Sequence, residues 1–251
     1  MGHHTDDLFV GGAVIGGSPT SGLGNSAPMT QGVGPLGRIY CFDAVPAASG
    51  TTTTQNEIAL SQNLPAGNLT LTANGTTTTA GVSPTGQTLV VLDMDRTVAF
   101  YSASDLSAST VTVYGYDRYG QAVSQTITAP NATTVQTTKT FKSVYQITSS
   151  GAVAHPVVAG LGTVIGLPFR LTDLGYVVSA MYNQTAITIN STNIVVADTT
   201  SPATASTNDV RGTVLTGATD GTKRLVVNYM LPAIASGPNA TRIGAVGVTQ
   251  A

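Results

Sequence analysis

Few residues in this chain of 251 have the type and setting for chemistry. Of its three histidines, only His155 lies away from the glycine-rich start. A Ser–His–acid device needs an internal histidine held by a carboxylate and facing a nucleophile. His155 precedes Pro156 inside an apolar run, and no Gly-x-Ser-x-Gly elbow stands nearby. It reads as a histidine with one satisfied hydrogen bond. Paired carboxylates suited to glycoside hydrolysis must lie within several ångströms of one another. The one such pair in view is Asp93 and Asp95, in Val-Leu-Asp-Met-Asp-Arg, since Glu57 is the sole glutamate. On a strand, both would point to the same side. Next to Arg96 they read as a turn or an ion pair. The alternative, a calcium site, lacks the Asp-x-Asp-x-Asp-Gly loop that would support it. Cys41 is the only cysteine, which rules out an internal disulfide and a cysteine zinc site. In Arg-Ile-Tyr-Cys-Phe-Asp it reads as a buried small hydrophobe. There is no phosphate loop and no dinucleotide fingerprint. The sequence thus predicts no catalytic, cofactor-binding or metal-binding residue, and a protein that is not an enzyme.

What the chain has instead is a fabric. From Ser109 it runs Ser-Thr-Val-Thr-Val-Tyr-Gly-Tyr, then Asp117-Arg118-Tyr119-Gly120, then a Thr- and Ser-rich return. Val111 and Val113 alternate with Thr110 and Thr112, and Val123 and Ile127 share one face of the return. Period-2 alternation about a Gly-containing turn predicts an antiparallel hairpin with one wet face. Threonine on that face suits the pleat and leaves it nearly uncharged. Tyr114, Tyr116, Tyr119 and Tyr145 crowd around the hairpin and suit cross-strand packing or an intersubunit contact. With no Trp in the chain, a carbohydrate site loses its best stacking platform.

Composition narrows the class. Charged residues are 9%, far below the usual quarter, yet the hydrophobic fraction is 41% and net charge is −2. Patterned apolar residues at that level specify a folded chain. So little charge implies a surface hidden against other copies or a larger assembly. Ten basic residues, with Lys223-Arg224 the only adjacent pair, argue against nucleic acid. No apolar run is long enough to span a bilayer, and the start carries Asp6 and Asp7 where a secretory signal is cationic. Folding without disulfides fits a reducing cytoplasm. Six Asn-x-Ser/Thr triplets occur in this Ser- and Thr-rich chain and read as composition, since glycosylation would also need secretion.

Strands are expected near 38–43, 56–60, 68–73, 87–93, 96–102, 109–117, 121–129, 139–149, 175–183, 185–189, 192–197, 211–216, 223–230 and 241–248. No window shows a helical stripe. Short strands at this spacing predict an all-β fold, an antiparallel β-sandwich of jelly-roll type over 38–251. Residues 151–175, rich in Gly and Pro, read as a buried crossover between sheets. A two-lobed split near 165 is the alternative. Residues 1–37 form an extended Gly-rich arm, costly to order alone. Its Phe9, Val10, Val14, Ile15 and Leu23 are too apolar for a solvated linker and are expected to bind a partner, as are Tyr114, Tyr116 and Tyr119.

The pieces Thr110-Val111-Thr112-Val113, Asp117 to Gly120, Ser124 to Thr128 and Thr140-Phe141-Lys142-Ser143-Val144 resemble virion structural proteins of tailed bacteriophages. That resemblance implies a homotrimeric decoration or cement protein on the capsid surface, bound to the major capsid protein and synthesised in the host cytoplasm. It does not resemble a major capsid protein, for want of a long spine helix. A phage spike or head-fibre protein binding a receptor or glycan is the alternative that the resemblance leaves open.

Overall fold

The computed structural model describes residues 37–49, 55–83, 86–198 and 208–232. These residues form strands and connecting turns, with no α-helix among them. In chain order the strands are β1 (Gly37–Ala44), β2 (Ala59–Leu64), β3 (Gly67–Asn68), β4 (Thr78–Val82), β5 (Thr88–Tyr101), β6 (Thr110–Tyr116), β7 (Ala122–Thr128) and β8 (Thr134–Gln136). There follow β9 (Phe141–Ser149), β10 (Val153–Gly166), β11 (Val177–Tyr182), β12 (Thr185–Ala186), β13 (Ile194–Val195), β14 (Thr213–Leu215) and β15 (Leu225–Pro232). Among the described residues a 3-10 turn, Leu174–Tyr176, precedes β11.

Every strand pairing is antiparallel. The larger sheet has eleven strands along the path β13-β14-β10-β5-β9-β6-β7, with β2, β3, β4 and β8 added at its sides. It curls into a half-barrel, giving an all-β, sandwich-like fold. The smaller sheet runs β1-β15-β11-β12.

Burial follows the alternation. In β6, Val111 and Val113 are fully buried while Thr112 and Tyr114 face outward, and Thr112 Oγ1 meets Thr126 Oγ1 of β7 at 2.8 Å. Two clusters of buried apolar residues result. The first gathers Val90, Leu92, Val98, Phe100, Val111, Val113, Phe141, Val144, Ile147 and Leu161, among others. The second holds Phe42, Ile165, Leu167, Val177, Leu225, Val227 and Tyr229. Each fully buried large side chain favours folding by about 1.5–3 kcal/mol, so these clusters are the main driving force.

Three expectations change. Residues 153–166 are not a crossover but a 14-residue strand that joins both clusters, contributing Leu161 to one and Ile165 to the other. Its glycines serve close approach. A Cβ on Gly160 would lie 1.9 Å from Glu57 Oε2, and one on Gly162 would lie 2.0 Å from Thr97 Oγ1. The crossover proper is the segment after it, where Leu167 and Leu171 are buried before β11 begins in the other sheet. Next, 87–93 and 96–102 are one strand, β5, whose pairing register shifts between Val91 and Arg96. Third, Cys41 is exposed. It lies on β1, where alternation sends Phe42 inward and Cys41 outward beside Ile39. The predicted arm over 1–37 lies outside the described residues except for Gly37, and the strand expected over 241–248 lies wholly outside them.

Candidate partner-binding surface

The outer face of β6 and β9 carries the aromatic patch. Tyr145 of β9 lies 6.3 Å from Tyr114 and 5.3 Å from Tyr116, ring centre to ring centre. The rings come together because β9 shifts register against β6 between Tyr114 and Gly115. Gly115 permits the shift, since a Cβ there would fall 2.0 Å from Ser143 O. All three tyrosines are half-buried, flanked by Thr112 and Thr148. Burial, and next the Tyr116 and Tyr114 hydroxyls, push the Tyr145 hydroxyl above its ordinary value.

Tyr119 belongs elsewhere. The turn is built by Asp117, whose Oδ1 accepts from Tyr119 N at 2.8 Å and Gln121 N at 2.9 Å. Gly120 closes it with φ +78°, a left-handed conformation that glycine adopts without strain. The turn sends the Tyr119 hydroxyl to Pro168 O, a donated hydrogen bond of 2.6 Å. The Arg211 guanidinium lies 5.0 Å from the centre of the Tyr119 ring and is paired with Asp117 Oδ2. The sequence groups four tyrosines; the structure brings together three and turns Tyr119 toward the crossover.

Between these aromatics and the second cluster runs a seam of charges. Arg96, fully buried on β5, donates to Gly162 O at 2.7 Å, Ala47 O at 2.8 Å and Thr219 Oγ1 at 3.0 Å, and pairs with Asp93 at 3.2 Å. Burial lowers its pKa, against the pull of Asp93. Asp93 and Asp95 do form ion pairs, but with different arginines and inside a strand. Asp95 Oδ2 accepts from Arg118 Nε at 2.7 Å, and its Oδ1 has no hydrogen-bond partner among the described residues. Burial pushes the Asp95 carboxyl up to about 6, while Arg118 and then Arg211 pull against it. Lys142 of β9 donates to Leu92 O at 2.6 Å and Asp93 O at 2.8 Å, and burial lowers its ammonium.

A groove of about 410 Å³ opens beside the turn. It is lined by Val82 and Ser83 at the end of β4, by Leu89 of β5, by Tyr116, Asp117, Arg118 and Gly120 at the hairpin end, and by Ser143 of β9. Val82 is 71% exposed. Arg118 lines this groove while its Cζ lies 5.9 Å from the centre of the Phe42 ring. Sequence reasoning passed over Arg118 and Arg211, and weighed Asp95 only together with Asp93 and Arg96. The one local signal was an arginine inside a tight turn.

Of the other sequence-derived candidates, Phe9, Val10, Val14, Ile15 and Leu23 lie outside the described residues. His155 is exposed on β10. The register of β10 against β2 shifts between Val153 and Pro156, leaving 154–156 at the surface. Among the described residues no group of three or more His, Cys, Asp and Glu could hold a metal ion. No helix there is long and apolar enough to cross a membrane. No family model, curated protein or solved structure matches the chain.

Proposed function

We propose that this chain is a non-enzymatic virion component of a tailed phage, a decoration or cement protein that binds the major capsid protein on the capsid surface as a homotrimer. The single observation that carries the reading is the outer face of β6, β7 and β9, where threonines surround Tyr114, Tyr116 and Tyr145 and leave the sheet nearly uncharged. Half-buried aromatics on a rigid sheet contribute large contact area at low entropic cost. Aromatic pairs add about 0.5–1.5 kcal/mol each, so the attachment is modest per copy and gains strength by repetition over a shell. Neither nucleic acid nor a membrane is a partner in this reading. Residues 1–37, through Phe9, Val10, Val14, Ile15 and Leu23, supply a second contact with the partner.

The groove beside Arg118 favours a second reading, a spike or head-fibre protein that binds a host receptor or glycan. One experiment separates the two. An antibody against the purified protein is used to label virions of the phage that encodes it, and electron microscopy locates the label. Label distributed over the heads supports decoration. Label on fibres or tail tips, or no label on virions, overturns it. Sedimentation equilibrium at micromolar protein is expected to give three times 25.4 kDa; a monomer overturns the trimer.

A further inference from the structure

The groove beside the Asp117–Gly120 turn contains a guanidinium whose hydrogen-bonding capacity is only partly used. Arg118 spends Nε on Asp95, and its two terminal amino groups have no acceptor among the described residues. Its position is fixed, with Asp95 at one edge and the Phe42 ring 5.9 Å away. An arginine held this way presents parallel N–H donors matched to a planar carboxylate. The carboxylate that could compete inside the groove, Asp117, is already bound by Arg211. The groove wall beyond Arg118 is apolar, from Tyr116, Val82 and Leu89, with the hydroxyl-bearing Ser143 at its side.

We propose that this groove binds an acidic sugar, a uronate-type pyranose, with its carboxylate on the Arg118 guanidinium and its ring against Tyr116, Val82 and Leu89. A cavity of about 410 Å³ accommodates one such ring. A tyrosine face and aliphatic flanks suit the C–H side of a pyranose, while serine suits its hydroxyls. A neutral sugar would leave the guanidinium without its ion, and a bare carboxylate would leave the apolar wall wet. The site stands whether the protein sits on the capsid or on a fibre.

The surrounding charges make binding respond to pH. Asp95 faces Arg118 of the turn, Arg211 and Asp209 of the segment before β14, and Lys142 of β9, with Asp93 and Arg96 on its own strand. Protonation of Asp95 removes the negative charge that partly neutralises Arg118 and strengthens its hold on the sugar carboxylate.

The test is an NMR titration of the full chain with D-galacturonate, D-galactose, acetate and the peptide acetyl-Val-Asp-Val-amide, at about pH 5 and about pH 7.5, either side of the Asp95 transition. Galacturonate is expected to shift the Gly120 and Ser143 amides with a dissociation constant of order 1 mM, and galactose and acetate to bind about tenfold more weakly. Binding should tighten several-fold at the lower pH. Arg118→Gln should weaken it about tenfold or more, while Asp95→Asn should abolish the pH dependence. Shifts in the parent locate the site even if Arg118→Gln does not fold. No saturable shift, shifts elsewhere, acetate equal to galacturonate, or an unchanged Arg118→Gln overturns the proposal. Tighter binding of the peptide overturns it in favour of a protein ligand.

Discussion

Asp95 and Arg118 meet through a single hydrogen bond of 2.7 Å, Nε to Oδ2, and the pair is lopsided. The Asp95 side chain is 1% exposed and the Arg118 side chain 27%. The carboxylate bears the desolvation cost, and the arginine can still reach water. Burial outweighs the attraction, which is why the Asp95 carboxyl is pushed up to about 6.

That shift makes a signed prediction about stability. Asp95 holds its proton more tightly in the folded chain than in the unfolded one, where the value is near 3.8. Its contribution is therefore most favourable below pH 3.8, declines as pH rises to about 6, and is lost above that. The interval corresponds to about 3 kcal/mol. Asp95→Asn keeps an acceptor for Arg118 and has no charge to bury. It is expected to exceed the parent in stability at pH 8 by up to about 3 kcal/mol and to match it near pH 4. Urea unfolding across that range measures the difference; parallel curves for parent and variant would remove Asp95 as the source.

Glu57 packs directly against the backbone of Gly160. Glu57 Oε2 accepts from Leu161 N at 3.1 Å and occupies the place where a Cβ on residue 160 would sit, 1.9 Å away. The Gln55 backbone carbonyl carbon, at 2.8 Å from that position, blocks relief by a side-chain swing alone. Gly160→Ala is expected to destabilise by about 1–3 kcal/mol through overpacking. Thermal unfolding should show it; a variant as stable as the parent would mean that Glu57 moves aside freely.

That glycine also explains what could be read in advance. The β6–β7 hairpin was legible because its instructions are local: Val111 and Val113 alternate with threonine, and Asp117 and Gly120 carry the turn. Strand β10 was not legible, because Gly160 and Gly162 look like breakers until Glu57 and Thr97, far away in sequence, are seen pressed against them. The exposure of Cys41 depended on which face of β1 the second cluster covers. Within the site, the tyrosine patch announced itself by spacing. The charged seam did not, since Asp95, Arg118 and Arg211 converge from three separate segments and none carries a motif.

Arg211 and Asp117 are both buried and joined to each other. Removing one partner of such a pair strands the other charge, whereas removing both relieves it. Arg211→Met is expected to cost about 3–5 kcal/mol, the Asp117 carboxylate then keeping only its two turn N–H donors. Arg211→Met with Asp117→Asn should recover part of that loss, since the stranded charge is gone. A double-mutant cycle in urea measures the coupling, and additive effects would show that the pair contributes only as two separate side chains.

The β11–β12 connection offers a gain in stability. Tyr182 pairs with Thr185, so Asn183 and Gln184 alone make the loop, with φ of +53° and +63°. Two left-handed residues in a two-residue loop are a type I′ turn, which matches the twist of its strands. Asparagine tolerates that conformation, but glutamine is held where a Cβ costs about 1–2 kcal/mol. Glycine removes that cost and returns about 0.5–1 kcal/mol of it as unfolded-chain entropy. Gln184→Gly should therefore stabilise by about 0.5–1 kcal/mol and raise the melting temperature by about 1–3 °C. Asn183→Gly should change it less, because asparagine already suits its position. Calorimetry of both variants tests the ordering: a drop in melting temperature for Gln184→Gly would mean that the loop does not hold residue 184 in the left-handed region.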